Sequence, residues 1–379
     1  MPDSMRIAVN TRLLLPNRLD GIGWFTAETA KRMVLAHPEH QFFFLFDRKP
    51  SQQFIFANNV TPVTLCPQAR HPVLWYIFFE ISVQRFLKHN KIDLYLSPDG
   101  MMPLHPAVPT LTVIHDLNFE HATGNLRKSH QRYMAHYFPH FAQNATRIAT
   151  VSEYSKQDIA QTYGIAPSKI DVVYDGAHNN YRPHSDDEKI ATRHRFTDGN
   201  PYIIFISTIL KRKNLTNLLK AFDQVKQERP SELKLLVVGS RAWWQDELAE
   251  AYNQMQHQAD VLMIGRAEPD DLSALLSAAE MLVYPSFFEG FGIPILEAMY
   301  AETPVIASQT TSMPEVGGDA VLYIDPHNVD DIAQAIVRLQ DKSLQQEFIK
   351  KGRIQRTKYS WDITANLLWE SIERTIHQK

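Results

Sequence analysis

Thirteen short runs of β-branched and aromatic residues, separated by segments of helical periodicity, constrain the fold of this chain more than any other feature. Strands that alternate with helices predict βαβ units, in which the strands are parallel and share one sheet. Seven runs fall in the first half of the chain and six in the second, so we expect two sheets. The expected strands lie near residues 6–10, 41–46, 60–65, 94–97, 111–115, 147–151, 171–174, 202–207, 233–238, 261–264, 281–284, 304–307 and 321–324.

The chain is long enough for two domains. Its 379 residues exceed the ~100–200 of a usual domain, and 44% hydrophobic with 21% charged residues is an ordinary globular composition. The polar segment 175–198 contains Pro183 and has no apolar period, which favours a linker. We therefore expect a Rossmann-like domain over residues 1–183 and another over 184–360. Both would be doubly wound, facing each other across a cleft at the carboxyl ends of their strands.

Composition and motifs argue against several classes of protein. A single cysteine, Cys66, excludes an internal disulfide, and no apolar run reaches the ~18–20 residues that span a bilayer, so we expect a cytoplasmic protein. A net charge of −3 without a basic stripe makes nucleic acid an unexpected partner. No G-x-G-x-x-G follows the first strand, as a nicotinamide oxidoreductase would require. No Asp-x-Asp ends a strand and no spaced His/Cys set is present, so neither a metal nor another cofactor is expected.

The most informative motif is a strand, a glycine-rich turn and a helix over residues 284–300. Glycine allows close backbone approach, and the amides at a helix start form an anion site, so residues 290–293 are predicted to hold a phosphate. Glu289 and Glu297 flank this turn. Ionised carboxylates accept hydroxyl hydrogen bonds and therefore suit a sugar. The alternative is an ordinary helix start with both carboxylates solvated.

A basic loop follows the first strand of the second half. Lys211, Arg212 and Lys213 are consecutive cations, which repel one another unless they are solvated or face an anion such as a diphosphate. A merely solvated loop is the alternative.

Two features of the first half also fall after predicted strands. His115 and Asp116 end an apolar strand, where a histidine can exchange hydrogen bonds with a substrate hydroxyl; a structural histidine is the alternative. Gly21, Ile22 and Gly23 follow the first strand and offer flexible backbone, although a simple turn is equally compatible.

The ordered set of these motifs resembles the retaining, nucleotide-sugar-dependent glycosyltransferases of family 4, which have the two-domain GT-B fold. The resemblance covers nearly the whole chain. It includes Gly21-Ile22-Gly23, residues 113–116 and 150–155, Arg212-Lys213-Asn214, and Glu289 with Glu297 as the E-x7-E pair. It also implies that residues 361–379 form a terminal helix that returns to the first domain.

The resemblance implies a role for each site residue. Arg212 and Lys213 would hold the donor diphosphate, and Glu289 the hydroxyls of the transferred sugar. Glu297 would bind the ribose diol, and His115 would lie next to the sugar and acceptor. Catalytic roles are thus implied for Glu289, His115, Lys213 and Arg212. Donor contacts are implied for Glu297, Gly290, Phe291, Gly292, Ile293, Ser207, Thr208, Gly265 and Arg266, and acceptor or cleft-loop contacts for Gly21, Ile22, Gly23 and Asp116.

The chain departs from the family pattern at Ser207, where glycine is commonest, and at Thr208, where many members have arginine or another small polar residue. The implied activity is transfer of a hexose, mannose from GDP-mannose, to a saccharide or lipid-linked saccharide acceptor in surface polysaccharide or glycolipid synthesis. The same chemistry with a UDP-sugar is the first alternative. A sugar-nucleotide epimerase and a non-catalytic nucleotide-sugar-binding module are the others. No metal is implied.

The charge distribution suggests peripheral contact with the inner face of an anionic membrane. Residues 1–183 carry 18 Lys and Arg against 14 Asp and Glu, whereas residues 184–379 carry 21 against 28. The aromatic segment 75–79 with Arg85 and Lys88 is one candidate surface. Residues 127–133 are a second candidate surface, for the acceptor or the membrane, with a merely solvated patch as the alternative. The alternative is that the aromatic helix packs on its own sheet.

Overall fold

The computed structural model describes residues 4–16, 19–121, 127–178, 180–240 and 246–377. The chain forms two compact units. Unit 1 comprises Met1–Asp175 and Trp361–Lys379, and unit 2 comprises Gly176–Ser360.

Unit 1 is built on a parallel sheet of seven strands in the order β3-β2-β1-β4-β5-β6-β7. Ile7 of the first strand pairs with Phe42 on one side and Leu94 on the other. The strands are β1 Arg6–Asn10, β2 Gln41–Phe46, β3 Val60–Thr64, β4 Leu94–Ser97, β5 Thr110–Val113, β6 Arg147–Thr150 and β7 Ile170–Val172. The helices between them are α1 Gly21–Ala36, α2 Pro72–Ile77, α3 Gln84–His89, α4 Asn118–His121, α5 Lys128–Asn144 and α6 Glu153–Tyr163, with a π-helical segment at Phe78–Val83.

Unit 2 repeats this plan with six parallel strands in the order β10-β9-β8-β11-β12-β13. The strands are β8 Tyr202–Ile206, β9 Lys234–Val238, β10 Val261–Gly265, β11 Met281–Tyr284, β12 Val305–Ser308 and β13 Val321–Ile324. The helices are α7 Asp186–Thr197, α8 Leu215–Glu228, α9 Asp246–Gln254, α10 Pro269–Ala278, α11 Ile293–Tyr300, α12 Met313–Gly317, α13 Val329–Arg338 and α14 Lys342–Gln355. The predicted α/β class with two doubly wound sheets is confirmed.

The inner strands of both sheets are buried along nearly their whole length. All residues of β4, β5, β6, β11 and β12 are buried, as expected for parallel strands that helices cover on both faces. This explains why continuous apolar runs, rather than alternating ones, located the strands in the sequence.

The expected linker over 175–198 is wrong in its second half, where α7 forms. Ser185 and Glu188 make a capping box: the Ser185 side chain accepts from the Glu188 amide at 3.3 Å, and the Glu188 carboxylate accepts from the Ser185 amide at 2.7 Å. Among its residues only Thr192 and Thr197 are buried, so the helix has no apolar stripe. It contacts the rest of unit 2 through polar groups instead: Arg193 donates to the carbonyl of Ala278 at 3.0 Å.

The division between the units falls before Gly176, within the segment that the sequence assigns to the first domain. Hydrogen bonds to α10 explain this. The Asn180 amide donates to the carbonyl of Pro269 at 2.9 Å, and the Ser273 hydroxyl donates to the carbonyl of Asn180 at 2.8 Å. Residue 179, which also falls in the expected linker, lies outside the described residues.

The last helix, α15 Trp361–His377, belongs to unit 1 and packs against α1. Trp369 stacks on His37, with 3.6 Å between the ring centroids. The Thr364 hydroxyl donates to the carbonyl of Tyr174 at 2.6 Å, and the Ser371 hydroxyl donates to Asp171 at 2.6 Å. A segment remote in sequence therefore completes the unit that the first 175 residues begin.

The aromatic segment at 75–79 packs mainly into unit 1. Trp75, Phe78 and Phe79 are buried in its core, which supports the alternative that this helix covers its own sheet. Val73, Tyr76 and Ile81 stay exposed on the other side. In the described part of the chain, no helix combines the length and apolar character that crossing a membrane requires.

Candidate functional site

The basic loop after β8 is a single 3₁₀ turn over Lys211–Lys213, which Asn214 ends in the left-handed conformation at φ 59°. Asparagine tolerates this conformation better than most residues. The Asn214 amide donates to the carbonyls of Pro285 at 2.9 Å and Pro326 at 2.7 Å. The first bond connects the basic loop to the loop that follows β11, and the second connects it to the loop that follows β13.

Glu289, in the loop after β11, lies next to the cations of the basic loop after β8. Its Oε1 lies 2.5 Å from Nζ of Lys213, and its Oε2 lies 3.0 Å from a guanidinium nitrogen of Arg212. Only 6% of Glu289 and 8% of Lys213 is exposed. The alternatives of a solvated Glu289 and a solvated basic loop therefore fail for Glu289 and Lys213. We call Arg212, Lys213 and Glu289 the ion cluster.

Two hydroxyl groups complete the surroundings of this carboxylate. Oε1 also accepts from Tyr284 at 2.8 Å and from Ser286 at 2.5 Å. Burial alone would raise the pKa of Glu289, but Lys213 and Arg212, together with the hydrogen bond from Ser286, hold it at about 2. Glu289 therefore stays ionised at any physiological pH.

The glycine-rich turn places the loop after β11 against the start of α11. Gly292 has φ 104°, which only glycine adopts readily. The Ser312 hydroxyl lies 2.9 Å from both the Glu289 and the Phe291 carbonyls, and the Glu289 amide donates to the Thr311 hydroxyl at 3.2 Å. Residues 290–293 are thus ordered at the amino end of α11, next to the ion cluster.

Glu297 lies further along α11 in a different environment. Burial raises its pKa to about 7, and the nearby Tyr181 side chain opposes that rise. The E-x7-E pair therefore contains one carboxylate that is always ionised and one that titrates near neutral pH.

The remaining predicted donor residues lie on the loops after β8 and β10. Ser207 is half-buried, whereas Thr208 and Arg266 are exposed. Sequence analysis missed Gly239, which follows β9 and joins these loops: its amide donates to the carbonyl of Gly265 at 2.7 Å. A Cβ at Gly239 would lie 1.8 Å from the Ser207 carbonyl oxygen. The sequence feature that could have identified Gly239 is a single glycine directly after a buried strand.

In unit 1, His115 follows β5 as predicted. Its Nε2 lies 2.8 Å from the Pro98 carbonyl, which only accepts, so Nε2 carries the proton. Burial lowers the pKa of His115, so the ring is neutral and its Nδ1 is a hydrogen-bond acceptor. The ring also meets the edge of Phe25, with centroids 4.9 Å apart.

The other predicted unit 1 residues have local structural contacts. Asp116 accepts from the Asn118 amide at 2.9 Å at the start of α4. Gly21, Ile22 and Gly23 are not a flexible loop but the first turn of α1, because the Asp20 side chain caps the helix by accepting from the Gly23 amide. A Cβ at Gly23 would meet the Leu19 side chain at 3.0 Å.

Sequence analysis also missed a buried ion pair in unit 1. Nε of Arg12, after β1, lies 2.6 Å from Oδ2 of Asp99, after β4. The Asn10 amide donates to the other oxygen of Asp99 at 2.8 Å. Asp99 follows Pro98, whose carbonyl bonds His115, so the pair fixes the loop that orients the histidine. No sequence signal links two residues so far apart in the chain.

Within the described ranges, His37, Glu39 and His40 form a group that could hold a metal ion. It lies directly before β2, at the amino ends of the parallel strands, whereas His115 follows the carboxyl end of β5. The Met5 amide donates to Nδ1 of His40 at 3.3 Å, so the other ring nitrogen of a neutral His40 carries the proton and faces Glu39. The group is therefore arranged for hydrogen bonding.

Two family models match nearly the whole chain. "Glycosyltransferase Family 4" matches residues 19–179, and "Glycosyl transferases group 1" matches residues 186–355. The chain belongs to glycosyltransferase family 4. The resemblance stated from the motifs is confirmed, and the protein is a glycosyltransferase.

Named relatives agree with this assignment, and solved structures share the fold. The glycosyltransferase is 29% identical to O-antigen chain mannosyltransferase B of Escherichia coli, over 91% of this chain and 93% of that protein. It is 27% identical to the serotype-specific mannosyltransferase WbdA of E. coli, over 70% of this chain but only 34% of that longer protein. A glycosyltransferase of Rickettsia africae shares the fold with a TM-score of 0.74 at 16% identity, covering 98% of this chain and 99% of that one.

The ion cluster should stabilise the folded state of unit 2. Lys213→Ala leaves a buried carboxylate without one of its two cations, and breaking a buried pair in this way costs about 3–5 kcal/mol. We expect the urea midpoint of unit 2 to fall accordingly. Lys211→Ala is the matched control, because the Lys211 side chain is 56% exposed and lies 3.6 Å from Glu247. Equal stability of the two variants would show that Glu289 does not depend on Lys213.

Proposed function

We propose that this glycosyltransferase transfers a hexose, with retention of anomeric configuration, from a nucleoside diphosphate sugar to a saccharide or lipid-linked saccharide acceptor in surface polysaccharide synthesis. The observation that carries the proposal is the ion cluster beside the amino end of α11. Each part of the proposed reaction has a counterpart in these groups.

The departing nucleoside diphosphate needs positive charge. Two cations and one carboxylate leave the ion cluster with a net charge of +1, and the amides at the amino end of α11 add a partial positive charge. Preorganised donors of this kind stabilise charge that develops on a leaving group. We assign Arg212 and Lys213 to the diphosphate, with the main chain of residues 290–293.

The transferred sugar needs hydrogen-bond acceptors for its hydroxyls. Oε1 of Glu289 accepts from Lys213, Tyr284 and Ser286, while Oε2 accepts from Arg212. An ionised carboxylate offers about four acceptor positions, roughly two on each oxygen. We therefore assign Oε2 to a hydroxyl of the transferred sugar. Ser207, Thr208, Gly265 and Arg266 would surround the rest of the donor.

The neutral His115 of unit 1 can accept a hydrogen bond from a hydroxyl group. Because Nε2 of His115 is committed to the Pro98 carbonyl, Nδ1 can accept a hydrogen bond from a hydroxyl of the sugar or the acceptor. Retention would follow if the acceptor attacked on the face from which the nucleotide departs, with the leaving phosphate taking the acceptor's proton.

The names of the relatives support mannose as the sugar. O-antigen chain mannosyltransferases from E. coli and Salmonella typhimurium are 29% and 24% identical to this chain, which favours GDP-mannose and an O-antigen-like product. A UDP-sugar is the second candidate, because Anabaena HepE, solved with UDP-glucose, has the same fold. That likeness has a TM-score of 0.75 at 15% identity, over 98% of this chain and all of the other.

We also propose that transfer needs no divalent metal. The cations of the ion cluster and the amides of α11 supply the positive charge that a metal ion would bring to the diphosphate.

The donor proposal is tested by thermal unfolding in the presence of GDP, UDP or ADP and their sugar conjugates. A ligand that binds the folded state raises the midpoint by mass action. We expect GDP and GDP-mannose to raise it most, equally with Mg²⁺ and with a chelator. A larger effect of UDP would name the other donor class, a need for Mg²⁺ would contradict metal independence, and no effect of any nucleotide on folded protein would contradict the proposed function.

We propose that unit 1 reaches a lipid-linked acceptor at the inner face of an anionic membrane. Val73, Tyr76 and Ile81 are 63%, 42% and 57% exposed, and the cations Arg85 and Lys88 follow them in sequence. Exposed apolar and basic side chains together favour adsorption to anionic lipid.

Vesicle co-sedimentation tests this surface. Binding to phosphatidylglycerol vesicles should exceed binding to phosphatidylcholine vesicles, and the variant Tyr76→Ser with Ile81→Ser should bind about tenfold more weakly because less apolar area is buried. Ile190→Ser is the control, since Ile190 is a 54% exposed apolar residue of unit 2. Equal binding of all three proteins would contradict the proposed surface.

A further inference from the structure

Thr311 has a backbone conformation that a threonine rarely adopts. It lies between β12 and α12, and its φ of 56° is in the left-handed region. A side chain branched at Cβ is crowded in this region, so the conformation is strained. In the described part of the chain, the other non-glycine residues with positive φ are not branched at Cβ; they are Lys91, Asp198, Asn214 and Glu302. Strain of this kind persists only where the surrounding structure imposes it.

The surrounding structure at Thr311 includes the loop that carries Glu289. β11 and β12 are neighbouring parallel strands, so the loops that follow them leave the same edge of the sheet side by side. Three consecutive hydroxyl residues in the loop after β12 contact the main chain of the loop after β11. We call these residues, Thr310, Thr311 and Ser312, the hydroxyl triplet.

Two members of the hydroxyl triplet contact carbonyl groups. The Thr310 hydroxyl donates to the Phe287 carbonyl at 3.4 Å. The Ser312 hydroxyl lies 2.9 Å from the carbonyl oxygens of Glu289 and Phe291. The loop is therefore held through its main chain on both sides of Glu289.

The Thr311 hydroxyl has the opposite role, because it accepts from the Glu289 amide at 3.2 Å. The hydroxyl is the only group of this side chain that can accept, and a valine of nearly the same shape offers no acceptor. A main-chain amide that loses its partner is costly to leave unpaired, so the chain at Glu289 would shift towards another acceptor. The hydroxyl of a strained residue thus determines the position of the Glu289 main chain.

We propose that Thr311 is a positioning residue, whose strained backbone holds its hydroxyl on the Glu289 amide and so fixes the main chain from which the carboxylate of the ion cluster projects. As far as turnover is concerned, the inference rests on the proposed function. As far as the order of the loop is concerned, it rests on the contacts of the hydroxyl triplet and assumes no particular ligand of Glu289.

Three substitutions separate the hydroxyl of Thr311 from its strain. Thr311→Ser keeps the hydroxyl without the branch, Thr311→Val keeps the branch without the hydroxyl, and Thr311→Gly removes both. We expect turnover of GDP-mannose to follow the hydroxyl. The kcat of Thr311→Ser should stay near that of the wild type, and the kcat of the other two variants should fall about tenfold with a smaller change in KM, because a displaced catalytic group mainly affects the transition state.

The urea midpoint of unit 2 should follow the strain instead. Thr311→Val keeps the strained backbone and leaves the Glu289 amide without its acceptor, so its midpoint should be the lowest of the three. Thr311→Gly relieves the strain and should unfold at a higher urea concentration than Thr311→Val, although the two are equally inactive. A merely structural role would make turnover follow the midpoint.

Hydrogen exchange at the Glu289 amide tests the order of the loop without any ligand. Exchange should be about tenfold faster in Thr311→Val and Thr311→Gly than in the wild type and Thr311→Ser, because the amide opens more often without its acceptor. Asp198→Gly is the control. Asp198 is an exposed left-handed residue of unit 2 with φ 52°, and its replacement should change neither the exchange at Glu289 nor turnover.

Wild-type exchange at Glu289 in Thr311→Val and Thr311→Gly would overturn the inference, and so would wild-type turnover in these two variants. Equal losses in Thr311→Ser and Thr311→Val would overturn it as well, since the hydroxyl would then not be the group that matters. If the folded wild type turns over neither GDP-mannose nor UDP-glucose, the proposed function fails, whereas the exchange rates still decide whether Thr311 orders the loop.

Discussion

The attraction between Glu289 and its two cations is the interaction on which the second unit's site depends. A buried carboxylate costs several kcal/mol of desolvation unless its charge is compensated, so its loop is stable only where Lys213 and Arg212 reach it. The two loops follow β8 and β11. These strands are neighbours at the point where strand order reverses, which is where open α/β sheets bind ligands. The ion cluster therefore forms where the fold leaves a crevice.

Unit 1 also has a buried ion pair at the point where its strand order reverses, made of different residues. Its strand order reverses between β1 and β4, and a buried ion pair joins Arg12, after β1, to Asp99, after β4. The same loop after β4 supplies the Pro98 carbonyl that fixes the tautomer of His115. In each unit, an ion pair across the reversal point orders the loops that carry the predicted site residues.

The sequence predicted the strands well because buried parallel strands are continuous apolar runs, and all thirteen appear within two residues of their expected ends. It failed at α7, whose stability comes from a capping box and polar contacts rather than an apolar stripe. It placed Gly21–Gly23 in a loop because glycines favour turns, although Asp20 is a local helix-capping residue that accepts from the Gly23 amide. The motifs located Glu289, Arg212 and Lys213. They did not predict that the two cations pair with the carboxylate. That pairing depends on sheet order, as does the position of Asp99.

Glu289, held ionised between Lys213 and Arg212, is proposed to act on the transferred sugar rather than only to stabilise the fold. The most direct measurement is the turnover of GDP-mannose by Glu289→Gln, alongside its affinity for GDP. We expect kcat to fall by about 10²–10³, the effect of losing one preorganised electrostatic contact, while the folded protein still binds GDP. Near wild-type turnover by the folded variant would contradict this role of Glu289.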